Sequence, residues 1–189
     1  MKFQDAKYFS IKTFNKTFFE MTYMIAKYTR ELKLINKKFR STIMMAVTNV
    51  NGCSMCSYYH TKELINAGTS DEELKTILEG TYDDLETNES LALVFAEHYA
   101  DVSGNYDKEA FKKVKEYYGK DFAYGILGSI KSIMFGNMYG ISLGNIGTRF
   151  KFKKPKNSKF FTDLYIALAP FFLMFPFLII NLFRKKIQY

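Results

Sequence analysis

The stretch Asn51-Gly52-Cys53-Ser54-Met55-Cys56-Ser57-Tyr58-Tyr59-His60 gathers the side chains of this chain best suited to chemistry. On a helix, positions i, i+3 and i+7 share a face, so Cys53, Cys56 and His60 project together. Two thiols one turn apart can close a disulfide with little rearrangement. A cysteine near a helix N-terminus feels the positive end of the helix dipole, which favours the thiolate. That form attacks a peroxide oxygen or a disulfide sulfur, and His60, one turn beyond Cys56, is placed to accept or relay the proton released.

Other readings of the triplet stand beside this one. As a structural zinc site it offers three ligands and no second cysteine pair, so it would need a carboxylate or His98, the only other histidine. His98, in Phe95-Ala96-Glu97-His98-Tyr99, reads as a structural or surface residue. Two buried cysteines beside a helix histidine would be inert. A thioredoxin-like domain needs strands alternating with helices around its cysteine pair, and the neighbours here are helical in pattern. The chain holds two cysteines in all, which excludes a disulfide framework stapling distant segments. No cofactor and no metal are expected.

The elements that must position these residues are helical, and nothing alternates with a period of two for long enough to argue a sheet. Residues 1–40 read as helix, with Phe14, Phe18, Met21, Met24, Ile25 and Tyr28 at three- and four-residue steps and a turn near Asn36. Phe14, Phe18, Phe19, Met21, Tyr23 and Met24 read as core. An apolar helix from Ser41 to Val50 ends at Asn51-Gly52, a dipeptide suited to the left-handed turn that closes a helix. The helix carrying the cysteines runs from Cys53 to Asn66 and stops at Gly68. Ser70 and the acids Asp71 to Glu73 open the next, to Leu78. Helices follow at 86–102, with an apolar stripe of Leu91, Val94, Phe95 and Tyr99, at 107–118 and at 121–138. Gly125, Gly128, Gly136 and Gly140 suit close packing between helices. The expected architecture is an all-α bundle.

The C-terminal part differs in kind. Residues 148–160 form a basic linker, and Leu164 to Phe183 is an apolar run in which Asn181 alone is strongly polar. A helix of that length spans about 30 Å, the thickness of the hydrocarbon core of a bilayer. Pro170 and Pro176 are tolerated in membrane spans. Six Lys/Arg precede the run and three follow it, which assigns the heavier side, and the helical body, to the cytoplasm. The organisation expected is a helical domain over 1–147, a linker over 148–160 and a C-terminal membrane anchor over 161–189. A buried helix, an oligomer contact or a shallow hairpin-like insertion around the prolines are the alternatives for the anchor. The N-terminus lacks the continuous apolar core of a signal peptide.

Of the 189 residues, 48% are hydrophobic and 3 are proline, which fits a helical domain with a substantial core. The formal net charge of +8 is concentrated in the tail: nine basic residues and the single acid Asp163 lie from Arg149 onward, leaving 18 basic and 18 acidic residues before it. This distribution suits an anionic lipid surface and argues against a nucleic-acid groove across the body.

Arg40, the run Ile43-Met44-Met45-Ala46-Val47 and Asn51-Gly52-Cys53-x-x-Cys56-x-x-x-His60 resemble the core of the carboxymuconolactone decarboxylase / alkylhydroperoxidase D-like superfamily. Leu64, Ala67-Gly68 and Ser70-Asp71-Glu72-Glu73-Leu74 continue the likeness, which covers about residues 35–145. The resemblance implies an all-α fold that assembles into homo-oligomers and, in the two-cysteine branch, a peroxidase-type activity. It implies that Cys56 attacks the peroxide and passes through sulfenic acid, that Cys53 donates a proton and then resolves the sulfenate as a disulfide, and that His60 belongs to the proton relay. Two positions depart from the pattern: Ser41 stands where the relay carries Glu, and Met55 where some members place His between the cysteines. The lactone-decarboxylating branch lacks the cysteine pair, so decarboxylation is not implied.

The function expected is a membrane-tethered thiol peroxidase. It would act on a hydroperoxide or disulfide substrate through Cys53, Cys56 and His60, with electrons returned by a dithiol donor protein. The alternative is a non-catalytic, membrane-anchored helical module serving as a redox sensor or a metal-binding protein.

Overall fold

A computed structural model describes residues 5–82, 87–187 and 189, with side chains left undescribed at 87 and 88. Among the described residues there are nine helices and no strand. Ser10 opens the first: its hydroxyl oxygen accepts the Thr13 N–H at 3.1 Å, and α1 runs Ile11–Lys27. Phe14, Phe18, Met21 and Met24 recur at helical spacing and are all buried. The chain breaks at Tyr28 into a short α2, Thr29–Leu34. Asn36 then caps α3, Lys37–Asn51, its carboxamide oxygen accepting the Phe39 N–H at 2.8 Å. α3 therefore starts four residues before Ser41, because the cap and not the apolar pattern sets its first turn.

Gly52 closes α3 at φ 72°, as the Asn-Gly dipeptide predicts. α4 follows at once, Ser54–Asn66, and Gly68 lies beyond its end at φ 79°. Ser70 caps α5, Asp71–Glu79, by accepting the Glu73 N–H at 3.2 Å. α6 spans Thr87–Asp101 and α7 Lys108–Tyr118. The expected start of α6 at residue 86 lies outside the described residues. Within α6, Leu93, Phe95, Ala96 and Tyr99 are buried, whereas Val94, read as part of the apolar stripe, faces outward.

α8 is the axis of the fold. It runs Lys120–Phe150 and is buried over most of Ala123 to Ser142. It continues well past residue 138, where the sequence reading stops, because its later glycines are accommodated in a continuous helix. Two earlier ones are required where they stand: a Cβ at Gly125 would strike the Glu31 carbonyl, and one at Gly128 would meet Leu32 Cδ2 at 2.6 Å. Bare backbone at these positions lets α2 lie flat on α8.

α9, Phe160–Phe183, is long and apolar enough to cross a membrane. It packs along α1 and α8, with Ile166 and Ala169 turned into the shared core beside Leu173 and Phe177. The result is an all-α bundle in which α8 touches most other helices.

Candidate active site

The left-handed turn at Gly52 reverses the chain so that Cys53 falls at the mouth of α4. Cys53 is extended (φ −84°, ψ 95°) and serves as the N-cap, its sulfur accepting the Cys56 N–H at 3.3 Å. The two sulfurs are joined as a disulfide, with the Cα atoms 5.4 Å apart. Their surroundings differ. Cys53 is 1% exposed, whereas Cys56 is only half-buried. The one-turn spacing thus brings together the pair that the sequence singles out.

α8 forms the wall behind the sulfurs. A Cβ on Gly140 would sit 2.9 Å from Cys53 Sγ and 3.1 Å from Cys56 Sγ, so only a glycine lets the backbone of α8 approach this closely. One turn earlier, the Gly136 carbonyl oxygen lies 3.7 Å from Cys56 Sγ, within reach of a thiol hydrogen when the pair is reduced.

His60 lies one turn beyond Cys56 and is buried with Ser57 and Leu64 on the inward side of α4. Burial pushes its pKa down to about 4, slightly opposed by Glu63. The imidazole is therefore neutral near pH 7, and its Nδ1 is buried without a hydrogen-bond partner. Glu63 itself is held by Lys37 at 2.8 Å. Held neutral by burial, the imidazole is a weaker base than a free histidine.

A polar cluster lies where α3 meets α8. The Thr48 hydroxyl donates to Asn137 Oδ1 at 3.1 Å, and Asn51 Nδ2 donates to Met134 Sδ at 3.2 Å. Asn51 Oδ1 and Asn137 Nδ2 are buried and unpartnered. The sequence reading did not single out Asn137 or Thr48. A carboxamide inside the apolar run Ile133 to Ile141 was the available signal for the first. Gly136 and Gly140 read in the sequence as packing glycines, and the structure makes them the wall of the thiol site as well.

Arg40 and Ser41 take other places. The Arg40 guanidinium donates to the carbonyls of Leu32 and Ile35, the latter at 2.9 Å, and so closes the end of α2. Ser41 is buried in α3. His98 is exposed on α6. No group of three or more His, Cys, Asp or Glu among the described residues is placed to hold a metal ion.

A helical domain with a cysteine pair at the mouth of one helix, walled by the glycine face of another, defines a candidate thiol site. Residues 16–96, from within α1 through most of α6, match the carboxymuconolactone decarboxylase family. A Bacillus subtilis (strain 168) protein described as "Uncharacterized protein YdfG" is 26% identical over 121 residues, 63% of this chain and 82% of that protein. The matched stretch includes both cysteines and His60 but not the Gly136 and Gly140 wall.

Proposed function

We propose that this chain is a thiol oxidoreductase of the alkylhydroperoxidase D-like kind, reducing hydroperoxides through a Cys53/Cys56 dithiol–disulfide cycle. The observation that carries this reading is the paired but unequal burial of the two sulfurs at the mouth of α4. Cys56, the more accessible, meets the substrate. Its thiolate attacks the distal peroxide oxygen and the O–O bond breaks. Cys56 becomes a sulfenic acid, and the departing alkoxide takes a proton to leave as the alcohol. Cys53 supplies that proton, directly or by way of His60. The Cys53 sulfur then attacks the Cys56 sulfur, the S–O bond breaks, the hydroxide takes up the proton that Cys56 released on ionising and leaves as water, and the disulfide closes. An external dithiol protein returns two electrons and is itself oxidised to a disulfide.

In this reading α9 associates the chain with a membrane, the helical body faces the cytoplasm, and the chain assembles into a homo-oligomer. The test is thiol counting with mass spectrometry on the reduced full-length protein, before and after one equivalent of hydroperoxide. Loss of both thiols to a Cys53–Cys56 disulfide that a dithiol reverses is the expected result. Two thiols that stay reduced sink the peroxidase reading.

One observation favours a second reading, a redox sensor without turnover. Ser41 offers no carboxylate, and Glu63, which acts on His60, is tied to Lys37. A protein that forms the disulfide once but does not consume hydroperoxide with a dithiol present is the outcome that reading requires.

A further inference from the structure

Within the membrane association proposed above, α9 sits in a specific way. Its inward stripe, Thr162, Ile166, Ala169 and Asn181, is buried on the body. Its outward stripe should be polar in a water-facing helix. Instead it presents Phe161, Leu168, Phe171, Phe172, Phe175 and Phe183, all exposed. Phe171 is 77% exposed and Phe175 72%. A groove of about 390 Å3, lined by Phe161, Leu164, Leu168, Phe172 and Leu173, opens on the same face. So large an apolar surface marks an interaction site.

Both ends of this helix are tied to the same body. At its start, Asp163 is buried and accepts from Arg149 at 2.7 Å and from Asn145 at 3.1 Å. Near its end, Asn181 donates to the Phe19 carbonyl at 3.0 Å and to Thr22 at 2.9 Å, and Lys27 donates to the Leu182 carbonyl at 2.7 Å. The segment beyond continues along the body. Tyr23 donates to the Lys185 carbonyl at 3.2 Å, Lys186 pairs with Glu31 at 2.7 Å, and the Lys131 ammonium lies 4.2 Å from the centre of the Tyr189 ring. A spanning helix would meet acyl chains all round its middle, with its two flanks in water on opposite sides of the bilayer. Here both flanks rest on one set of helices.

The charges select the occupant. Lys151, Lys153 and Lys154 precede the stripe and Arg184 and Lys185 follow it, exposed and without an ion pair among the described residues. Phe152, fully exposed between two of these lysines, is held at φ 57°, a conformation uncommon for a bulky residue. Two copies apposed along α9 would set basic flank against basic flank in either orientation. Anionic headgroups neutralise both flanks while acyl chains cover the phenylalanines.

We infer that α9, still packed on α1 and α8, is an in-plane docking face for an anionic bilayer, with Phe150 and Phe152 inserting beside it. The protein rests on the membrane by the outer half of this helix and carries the thiol site on the same rigid bundle.

The chain contains no tryptophan, which makes the test direct. Phe161, Phe172 and Phe183 are eleven residues apart, share the outward face and are exposed. Three full-length variants, Phe161→Trp, Phe172→Trp and Phe183→Trp, are mixed with phosphatidylcholine vesicles with or without phosphatidylglycerol, and quenching by lipids brominated at known depths is read. Binding about tenfold or more tighter with the anionic lipid, weakened by salt, is expected. All three reporters should lie at one shallow depth. A reporter at position 172 roughly 15 Å deeper than the other two indicates a spanning helix and overturns the inference. Equal binding to neutral vesicles overturns the charge recognition. A dimer in solution that binds neither vesicle makes the face an interface between copies and overturns it as well. None of these readouts depends on thiol chemistry, so a failure here is separable from a failure of the peroxidase reading.

Discussion

α4 and α9 both lean on α8, and each inverts the usual division between inside and outside. α4 buries polar and reactive groups, Cys53 at its cap and Ser57 and His60 along it, and exposes Met55, Tyr58 and Tyr59. α9 buries Thr162, Asp163 and Asn181 and exposes phenylalanines. In α4 the cost of burying polar groups is met by packing that holds the sulfurs together and keeps His60 neutral. In α9 the buried polar residues act as pins, each with partners on the body, and the apolar groups are left for something outside. The contrast teaches that a helix's outward face says what it meets, while its inward polar residues say what it must hold.

The comparison breaks if the two helices cannot be edited independently. Cys56→Ser should lower hydroperoxide consumption by about a hundredfold or more and leave vesicle binding unchanged. Phe171→Glu together with Phe175→Glu should abolish vesicle binding and leave turnover of a water-soluble hydroperoxide within about twofold. A catalytic defect in the α9 variant, assayed without lipid, would show that the helices are coupled.

A smaller effect concerns the buried histidine. With the folded-state pKa near 4 and an ordinary value of 6.5, the unfolded chain takes up the proton first as pH falls. The stability linked to His60 is therefore complete above pH 6.5, declines between 6.5 and 4, and changes no further below. The loss is of order 3 kcal/mol. It should appear as a pH-dependent difference in urea midpoint between the parent protein and His60→Gln over that window. Parallel pH curves for the two would contradict a buried neutral imidazole.

The smallest effects compare two glycines of α8. Gly140→Ala should destabilise by about 1–3 kcal/mol and slow disulfide closure, because its Cβ meets both sulfurs. Gly144→Ala, with nothing within 4 Å, should stabilise by up to about 1 kcal/mol through helix propensity. Thermal melts of the two variants measure the difference directly.

The helical class, the Asn51-Gly52 closure, the Ser70 cap and the cysteine pair were legible because each is written in a few adjacent residues. What escaped the reading depends on distant partners. Gly140 becomes a site residue only once α8 is laid against the mouth of α4. Val94 looks like core until α6 takes its actual rotation. The 164–183 run announces its apolarity, but the pins at Asp163 and Asn181 acquire meaning only through Arg149, Thr22 and the Phe19 carbonyl. The role of Arg40 likewise depends on where α2 ends.

The Cys53 sulfur that accepts the Cys56 N–H has one consequence of its own. Once Cys53 has given up its proton its sulfur carries a full charge and is a far stronger acceptor than a disulfide sulfur. The ionisation of Cys53 is thus coupled to the first hydrogen bond of α4, and the helix start should tighten when the thiolate forms and loosen when the disulfide closes. Hydrogen–deuterium exchange at the Cys56 amide, slower in the reduced protein once pH is high enough to ionise Cys53 than in the disulfide form, would make that one backbone group a gauge of the Cys53 sulfur readable without any substrate.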